Sequence, residues 1–440
     1  MSSLPETTSA AGPADGARAP AGDWNSRAVY VLALLTFVAT FNYLDRSLLG
    51  LALPQIKAEM HVSDTALGLV SGLAFVLFYS VLGVPIAWAA DRWSRRNIIA
   101  VGLAFWSLMT ALTGLAANVW QLALARFLMG AGEACGTPPS ASIISDLVPP
   151  ARRPLAMAIY GSALSIAFIV FFPVLGWVGH TRGWRAMFVV AGAPGLLLAV
   201  LFLLTVKEPV RGAAELKPVG TLAPASFVET LRVLLASRAY LALLVTAALM
   251  GMNVFAASTW TPTFLARVHG LSMVDVASVV GPVRGFCNLG GMILGGLLMD
   301  RLARRGGAGR LTVGAVACFF VAPAEILFLL GGPQWVWVTG YAASAFFSLI
   351  HQPAVFATIM AVAPVRMRSV ASALLLFSSA MLGQTLGPLA VGALNDALAP
   401  EFGPAAIRWS MMILVVTAAL AGGVLLLADR LLAKETNARA

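Results

Sequence analysis

Two pairs of oppositely charged side chains lie inside apolar stretches of this sequence. Asp45 and Arg46 are adjacent near the middle of the first stretch, and Arg126 and Glu133 lie seven residues apart in the fourth. Seven residues make about two turns of an α-helix, so Arg126 and Glu133 project from one helix face. An ionisable side chain within a membrane span costs about 2.5–3.5 kcal/mol on insertion scales, and it therefore usually serves an internal cavity.

The chemistry that these four side chains could perform is proton-coupled binding of an anion. Burial favours the neutral form of a carboxyl group, whereas a nearby guanidinium favours the charged form, so its proton occupancy responds to its neighbours. Arginine can hold a carboxylate or a phosphate with two parallel hydrogen bonds. We predict that Asp45 and Glu133 carry the coupling protons and that Arg46 and Arg126 bind the anionic part of a solute. The alternative is a pair of structural salt bridges between the first and fourth spans.

Other polar residues within apolar stretches are candidates for the wall of the same site, by position. Glu325 and His351 could titrate there, although no motif carries them and a lone histidine is more often a hydrogen-bonded packing residue. The dispersed histidines and cysteines have no metal-ligand spacing, so we expect neither a metal nor a cofactor. The candidate wall residues are Asn42, Tyr43, Asn253, Thr259, Arg284 and Gln384.

The composition requires a membrane. Hydrophobic residues make up 59% of the 440 residues and charged residues 11%, against about 25% charged residues in soluble domains. Apolar runs of about 20 residues, the length that crosses a bilayer, recur along the chain. These runs are continuous and do not alternate in polarity, which excludes a β-barrel. The net charge of +10 fits basic cytoplasmic loops, and no basic stripe indicates nucleic-acid binding.

The apolar runs predict an all-α integral membrane protein with twelve transmembrane helices. We expect a disordered tail at 1–25, a six-helix bundle at 26–206, a cytoplasmic linker at 207–238, a second bundle at 239–430 and a tail at 431–440. Basic residues favour one set of short loops by eleven to five, which predicts an inner-membrane protein with both termini in the cytoplasm. The predicted spans are 28–55, 65–90, 97–117, 119–145, 154–179, 184–206, 239–267, 272–299, 310–331, 335–362, 368–395 and 405–429.

The two predicted bundles are copies of one pattern. The motif D-R-x-x-R-R follows the second span and recurs after the eighth, 209 residues later. Five further residues recur at a constant offset of 215: Pro138, Pro149, Arg153, Ala156 and Pro173 match Pro353, Pro364, Arg368, Ala371 and Pro388. Parallel repeats of this kind place a solute site at their interface near the membrane midplane.

The segment from Ala87 to Arg96 resembles the loop signature of the major facilitator superfamily, and Gly296 to Arg305 is its second copy. This resemblance implies two pseudo-symmetric six-helix bundles. It also implies a conformational latch, in which loop arginines pair with carboxylates of the same half and stabilise the outward-facing state. The predicted latch residues are Asp91, Arg92, Arg95, Arg96, Asp146, Arg153, Asp300, Arg301 and Arg304.

The first half is similar to the Spinster-like transporters within that superfamily. The similarity rests on Asn42 to Arg46, Arg126 to Ala134, Pro139 to Arg153 and Gly183 to Gly212, so it covers about 40–212. Spinster-like members include exporters and symporters of lysophospholipids and sphingoid phosphates. The N-Y-x-D-R and R-x-x-x-G-x-x-E elements also occur in the anion:cation symporter family, which takes up sugar acids.

These resemblances imply a monomeric transporter that couples protons to a small-molecule or lipid-like solute in the lipid bilayer. A sugar-acid or organic-acid symporter is the alternative. The remote alternative is a membrane enzyme, but the predicted spans place no nucleophile and base together. The sequence contains no Walker-type phosphate-binding motif, so ATP is not the evident energy source.

Overall fold

The computed structural model describes residues 25–211, 227–304, 309–364 and 367–437. Across these residues the chain is helical and has no β-strand, which confirms the all-α prediction. The α-helices are α1 Ser26–Met60, α2 Asp64–Ser71, α3 Leu73–Arg92, α4 Arg95–Thr113, α5 Val119–Glu133, α6 Thr137–Leu147, α7 Arg153–Gly161, α8 Ala163–Ile166, α9 Phe172–Thr205, α10 Phe227–Ala236, α11 Arg238–His269, α12 Met273–Arg304, α13 Arg310–Leu330, α14 Gln334–Ser348, α15 His351–Val362, α16 Arg368–Phe377, α17 Gln384–Phe402, α18 Ala406–Ser410 and α19 Ile413–Asn437.

The helices follow the order of the twelve predicted spans. Nine helical stretches within the described ranges are long and apolar enough to cross a membrane. Two of them, Arg153–Thr205 and Val370–Glu435, have the length of two crossings each. Helices α5 and α6 together occupy the predicted fourth span, where three turn residues at 134–136 separate them and α6 has two prolines in its first turn. Several spans therefore consist of two or more helical segments.

Matching helix ends relate the two bundles. Helices α1 and α11 both end in a left-handed residue, His61 with φ 53° and Gly270 with φ 66°, at positions 209 apart. The next helices start with equivalent serine caps, because Ser63 accepts from the Ala66 amide and Ser272 accepts from the Asp275 amide. Such caps satisfy amide groups that have no partner in the first turn. The internal repeat is therefore visible in the helix ends and in the serine caps that follow them.

A second pair of matching contacts follows the offset of 215. The Arg153 Nε donates to the Val148 carbonyl at 3.2 Å, and the Arg368 Nε donates to the Ala363 carbonyl at 3.4 Å. A π-helical turn also interrupts the fifth span at 167–171 and the eleventh at 378–383. Such turns often mark functional sites, and both precede the repeated prolines Pro173 and Pro388.

The structure differs from the predicted organisation at the linker and at the C-terminal end. Helix α10 lies within the predicted linker, and its buried residues Thr230 and Leu234 are one turn apart. Helix α19 continues to Asn437, and the Glu435 carboxylate accepts hydrogen bonds from Ser237 Oγ and the Ala239 amide at the start of α11. Residues 1–24 of the predicted tail at 1–25 and the linker segment 212–226 lie outside the described residues.

Candidate functional site

Arg46 and Glu133 form an ion pair between α1 and α5. The Arg46 Nε lies 2.7 Å from Glu133 Oε2, and Glu133 is 0% exposed while the Arg46 side chain is 17% exposed. The Arg46 guanidinium also lies 4.8 Å from the ring centre of Phe75 and 4.5 Å from that of Tyr79, both on α3. Cations bind to the faces of aromatic rings. Arg46 is thus held on the edge of the protein interior by one carboxylate and two rings.

The local sequence explains why Glu133 reaches this position. Helix α5 ends at Glu133, and α6 begins at Thr137 with two prolines in its first turn, where a missing amide hydrogen is tolerated. One turn before Glu133, a Cβ at Gly130 would clash with the Phe75 carbonyl. The absence of a side chain at Gly130 therefore lets α5 pack closely on α3, which brings the carboxylate to Arg46.

Asp45 and Arg126 are close together, but their side chains do not pair. The Arg126 guanidinium donates to the Asp45 backbone carbonyl at 3.0 Å. The Asp45 Oδ1 and the Glu133 Oε1 have no hydrogen-bond partner among the described residues. Asp45 is 2% exposed and Arg126 is equally buried. Of the two structural salt bridges that the sequence offered as an alternative, the structure contains one, between Arg46 and Glu133. The buried Asp45 carboxyl group is left with one oxygen that accepts no hydrogen bond from the described residues.

A central cavity of about 390 Å³ lies between the two bundles, beside Arg46. Four predicted site residues, Tyr43, Arg46, Arg284 and Gln384, line it together with Thr259 and His351. Most of the remaining wall is apolar, with Phe, Met, Leu and Val side chains from both bundles: Leu164, Phe168, Met250, Val254, Phe255, Met292, Leu349, Val355, Phe356, Leu375 and Leu376. Glu133 does not line the cavity itself, but it is paired with Arg46, which does.

Other predicted site residues occupy different places. Asn253 donates to the Leu414 carbonyl at 2.9 Å and lines a second, smaller cavity. Asn42 is buried, and its Nδ2 has no hydrogen-bond partner among the described residues. The His351 Nδ1 lies 2.7 Å from the Ser348 carbonyl. Arg126 is a buried residue of α5 that contacts the Asp45 carbonyl of α1 and lies 5.4 Å from the Phe75 ring centre of α3, and it does not line the central cavity.

The predicted latch of the first bundle is built around Arg95. Its Nη1 lies 2.5 Å from Asp146 Oδ2 and its Nε lies 2.8 Å from Glu208 Oε1, while the Arg95 side chain is 2% exposed. The Glu208 carboxylate also accepts hydrogen bonds from Ser94 Oγ and the Arg96 amide at the start of α4, where a negative charge is favourable. Partial burial alone would raise the pKa of Glu208, but these hydrogen bonds hold it below its ordinary value.

The other latch residues interact mainly through the backbone. The Arg211 guanidinium donates to the carbonyl of Asp91, and Arg96 donates to the Leu203 carbonyl at 2.6 Å. Arg92 lies over the Trp88 ring at 4.0 Å. In the second bundle Asp300, Arg301 and Arg304 are exposed and form no ion pair within the described ranges. The equivalent of Arg96, Arg305, lies outside those ranges.

Glu208→Gln is expected to lower the stability of the first bundle at neutral pH by about 1 kcal/mol, because a charge-assisted hydrogen-bond acceptor is lost at a partly screened site. A depressed carboxyl pKa stabilises the fold above the unfolded-state pKa, and this contribution disappears as the pH falls through the folded-state pKa. The difference between variant and parent in thermal unfolding should therefore shrink below about pH 4. Asp300→Asn is the matched control, and a pH-independent difference would contradict the ionic role.

The sequence analysis missed a charged cluster that joins the two bundles at the end opposite the D-R-x-x-R-R loops. Asp64, at the start of α2, is 1% exposed and receives two hydrogen bonds from Arg267 of α11, at 2.7 and 2.9 Å. Lys57 lies 2.8 Å from the same carboxylate, and Asn395 also donates to it. The Asp396 carboxylate accepts from the Asp64 and Thr65 amides at 3.0 and 2.8 Å. We call these six residues the cross-bundle cluster.

Glycines allow the bundles to touch through their backbones beside the cross-bundle cluster. A Cβ at Gly72, between α2 and α3, would clash with the Gln384 carbonyl of the other bundle. A Cβ at Gly68 would meet the Pro388 carbonyl, and one at Gly392 would meet the Asp64 carbonyl. The bundles are therefore in direct main-chain contact at this end, which we call the closed end.

Comparisons with known proteins agree with this architecture. The model of the Major Facilitator Superfamily matches residues 35–388. An MFS-type efflux pump of Mycolicibacterium smegmatis is 30% identical, with 90% of this chain and 91% of the relative covered. A probable galactarate/D-glucarate transporter of Bacillus subtilis is also 30% identical, with 65% of this chain and 68% of the relative covered.

A solved structure extends the comparison to the whole fold. It is a bacterial homologue of the human lysosomal transporter Spinster, in an inward-facing and unoccupied conformation. It matches with a TM-score of 0.80 at 30% identity, covering 93% of this chain and 98% of the other. These matches confirm the predicted fold and the resemblance to Spinster-like and sugar-acid transporters. They also confirm that the protein is a multi-pass membrane transporter and not an enzyme: the chain belongs to the Major Facilitator Superfamily.

Proposed function

We propose that the protein is a proton-coupled symporter of an amphipathic organic anion, working by alternating access. The observation that carries this proposal is the 2.7 Å ion pair between Arg46 and Glu133, with Arg46 on the wall of a cavity shared by both bundles. An anion bound in the cavity competes with Glu133 for the same guanidinium. Solute binding and proton binding are thereby linked at one side chain.

The linkage follows from the cost of a buried charge. If the anion of the solute takes Arg46, the Glu133 carboxylate loses its ion-pair partner while remaining 0% exposed. A buried charge without its partner costs several kcal/mol, so the carboxyl group takes up a proton. Asp45 is the second proton carrier, because its buried carboxyl has an oxygen without a hydrogen-bond partner in the described structure. Solute and protons then cross together.

The cavity wall supports an amphipathic solute. A volume of about 390 Å³ suits a small organic molecule, since ligand pockets span about 300–1,000 Å³. Arg46 and Arg284 supply positive charge from opposite bundles, and the Phe and Met side chains supply an apolar surface. A fully hydrophilic acid would leave that apolar surface in contact with polar groups. The similarity to the galactarate/D-glucarate transporter nevertheless makes a sugar acid the second candidate.

The orientation is part of the proposal. The bias of basic residues towards the D-R-x-x-R-R side assigns that side to the cytoplasm. The closed end then faces outward and the structure corresponds to an inward-facing conformation, as in the similar bacterial homologue. Reorientation requires the cross-bundle cluster to separate, with Asp64 parting from Arg267 and Asp396 from the start of α2.

A thermal-shift comparison of purified protein tests the substrate class. A lysophospholipid is expected to raise the melting temperature more than D-glucarate does. Met292→Gln, on the cavity wall, should weaken lysophospholipid binding about tenfold, because polar substitution removes about 1–2 kcal/mol of apolar contact. Met360→Gln, at an exposed residue of α15 outside the cavity wall, is the matched control. Stabilisation by D-glucarate alone would favour the sugar-acid candidate.

A further inference from the structure

A second, smaller cavity lies within the second bundle, next to the central cavity. Its volume is about 30 Å³. Four residues, Val254, Arg284, Asn288 and Leu349, line both cavities and lie between the two spaces. The other polar residues on its wall are Asn253, Thr261, Glu325, Tyr341, Ser344 and Ser348.

Glu325 is a buried carboxyl group that the proposed transport site does not use. It lies in α13 and is 2% exposed. Its Oε1 accepts a hydrogen bond from Ser344 Oγ at 2.6 Å, while its Oε2 has no partner within the described ranges. An ionised carboxylate with a single neutral hydrogen bond in a membrane interior is costly. This geometry favours the neutral carboxylic acid over the carboxylate.

Arg284 lies on the same cavity wall without pairing with Glu325. Its guanidinium donates to the Val254 carbonyl at 3.2 Å and lies 5.1 Å from the ring centre of Phe168, in the first bundle. No ion pair within 4.0 Å connects it to Glu325 in the described part of the chain. A guanidinium on the wall of the same small cavity would be expected to pair with an ionised carboxylate there.

The other ionisable groups near Glu325 are few. Tyr341 of α14 shares the cavity, and Cys287 of α12 is close to Tyr341. Helix α15 presents His351, which packs beside Gly314, about three turns before Glu325. Helix α19 contributes Asp429, which accepts a hydrogen bond from Thr312 of α13. This contact also lies more than three turns from Glu325 along α13. Among the described residues, Arg284 is the cationic side chain that shares the cavity wall with Glu325.

The volume of the cavity decides which ligand it can take. One water needs about 10–15 Å³ of this kind of space, so about 30 Å³ holds about two waters and no solute head group. The polar wall provides the partners that such waters require. A proton delivered through water from the central cavity is the ligand that fits.

We propose that Glu325 is a proton-binding site of the second bundle, separate from Asp45 and Glu133. The proton binds Glu325 Oε2 and leaves by the same oxygen. When it leaves, the carboxylate attracts the Arg284 guanidinium away from the central cavity wall. Protonation of Glu325 thus keeps Arg284 available to an anionic solute, a last step that rests on the proposed function, whereas the proton site itself does not.

Infrared difference spectra of the full-length protein in lipid nanodiscs test the proton site without any solute. Spectra at about pH 5 and about pH 9 report carboxylic acids that gain or lose protons. Glu325→Gln should remove one carboxylic acid C=O band, which the double variant Asp45→Asn/Glu133→Gln should retain. A spectrum unchanged by Glu325→Gln would overturn the proposal.

A second variant avoids dependence on the folding of Glu325→Gln. Ser344→Ala removes the hydrogen bond to Glu325 Oε1, and a C=O group that loses a hydrogen bond vibrates at higher frequency. The band assigned to Glu325 should therefore move upward, whereas Ser348→Ala, on the same cavity wall, should leave it in place. A band that stays fixed in Ser344→Ala would refute the assignment. Both results are independent of the transport behaviour of Glu133 variants, so failure of this inference and failure of the proposed function can be told apart.

Discussion

Proton-driven accumulation of the solute is expected to fall to the level without a pH gradient when Glu133 is replaced by Gln, while exchange of solute across the membrane continues. Glutamine can still accept a hydrogen bond from Arg46, but it cannot bind and release a proton at neutral pH. Binding of the anion to Arg46 is then no longer linked to the uptake of a proton at position 133. The solute still binds, because Arg46 and the cavity wall remain.

Proteoliposomes separate these two activities. Flux under an imposed pH gradient measures coupling, and exchange of labelled for unlabelled solute at equal pH measures binding and reorientation. Glu401→Gln, an exposed carboxyl group at the closed end, is the control for loss of one acid. Unchanged pH-driven flux in Glu133→Gln would refute the coupling role of this residue.

Transport is also expected to stop in Gly72→Val, for a mechanical reason. A side chain at this position would meet the Gln384 carbonyl of the other bundle, and a backbone carbonyl cannot move aside as a flexible side chain can. The two bundles could then no longer meet at the closed end. The variant should fold and remain open there, with uptake at background level.

Spin labels at the exposed residues Arg182 and Glu401, one on each bundle at that end, measure the opening. The distance between the labels should be longer in Gly72→Val than in the parent. Gly83→Val is the matched control, because Gly83 lies in the same span and a Cβ there has no neighbour within 4 Å. Equal distances in Gly72→Val and the parent would show that this contact does not hold the bundles together.

The fold was predictable because its signals are strong and repeat. Long apolar stretches determine the spans, and the offsets of 209 and 215 reappear in the helix ends and in the Arg153 and Arg368 contacts. Helix α10 was missed because it has only 10 residues and is not part of a long apolar run. Its helical pattern, with buried residues one turn apart, appears only where it packs against the second bundle.

The candidate site was predictable in composition but not in pairing. Charges inside apolar stretches identify Arg46 and Glu133 as candidate site residues, whereas the pairing of Arg126 with a backbone carbonyl depends on how α5 packs. Asp64 and Asp396 gave no signal, because charges at span ends are ordinary and the two residues are 332 positions apart. Glu208 entered the sequence analysis only as part of the segment that resembles a family motif. Its ion pair with Arg95 forms because the chain after α9 packs against the start of α4.

The cap that Asp396 provides has a consequence for the kinetics of opening. The Asp64 and Thr65 amides of one bundle donate their hydrogens to a carboxylate of the other. Each separation of the bundles therefore leaves two peptide groups open to solvent. Deuterium uptake at these two amides would record how often the bundles of the unliganded transporter separate at the closed end, since exchange reports transient exposure of otherwise protected sites.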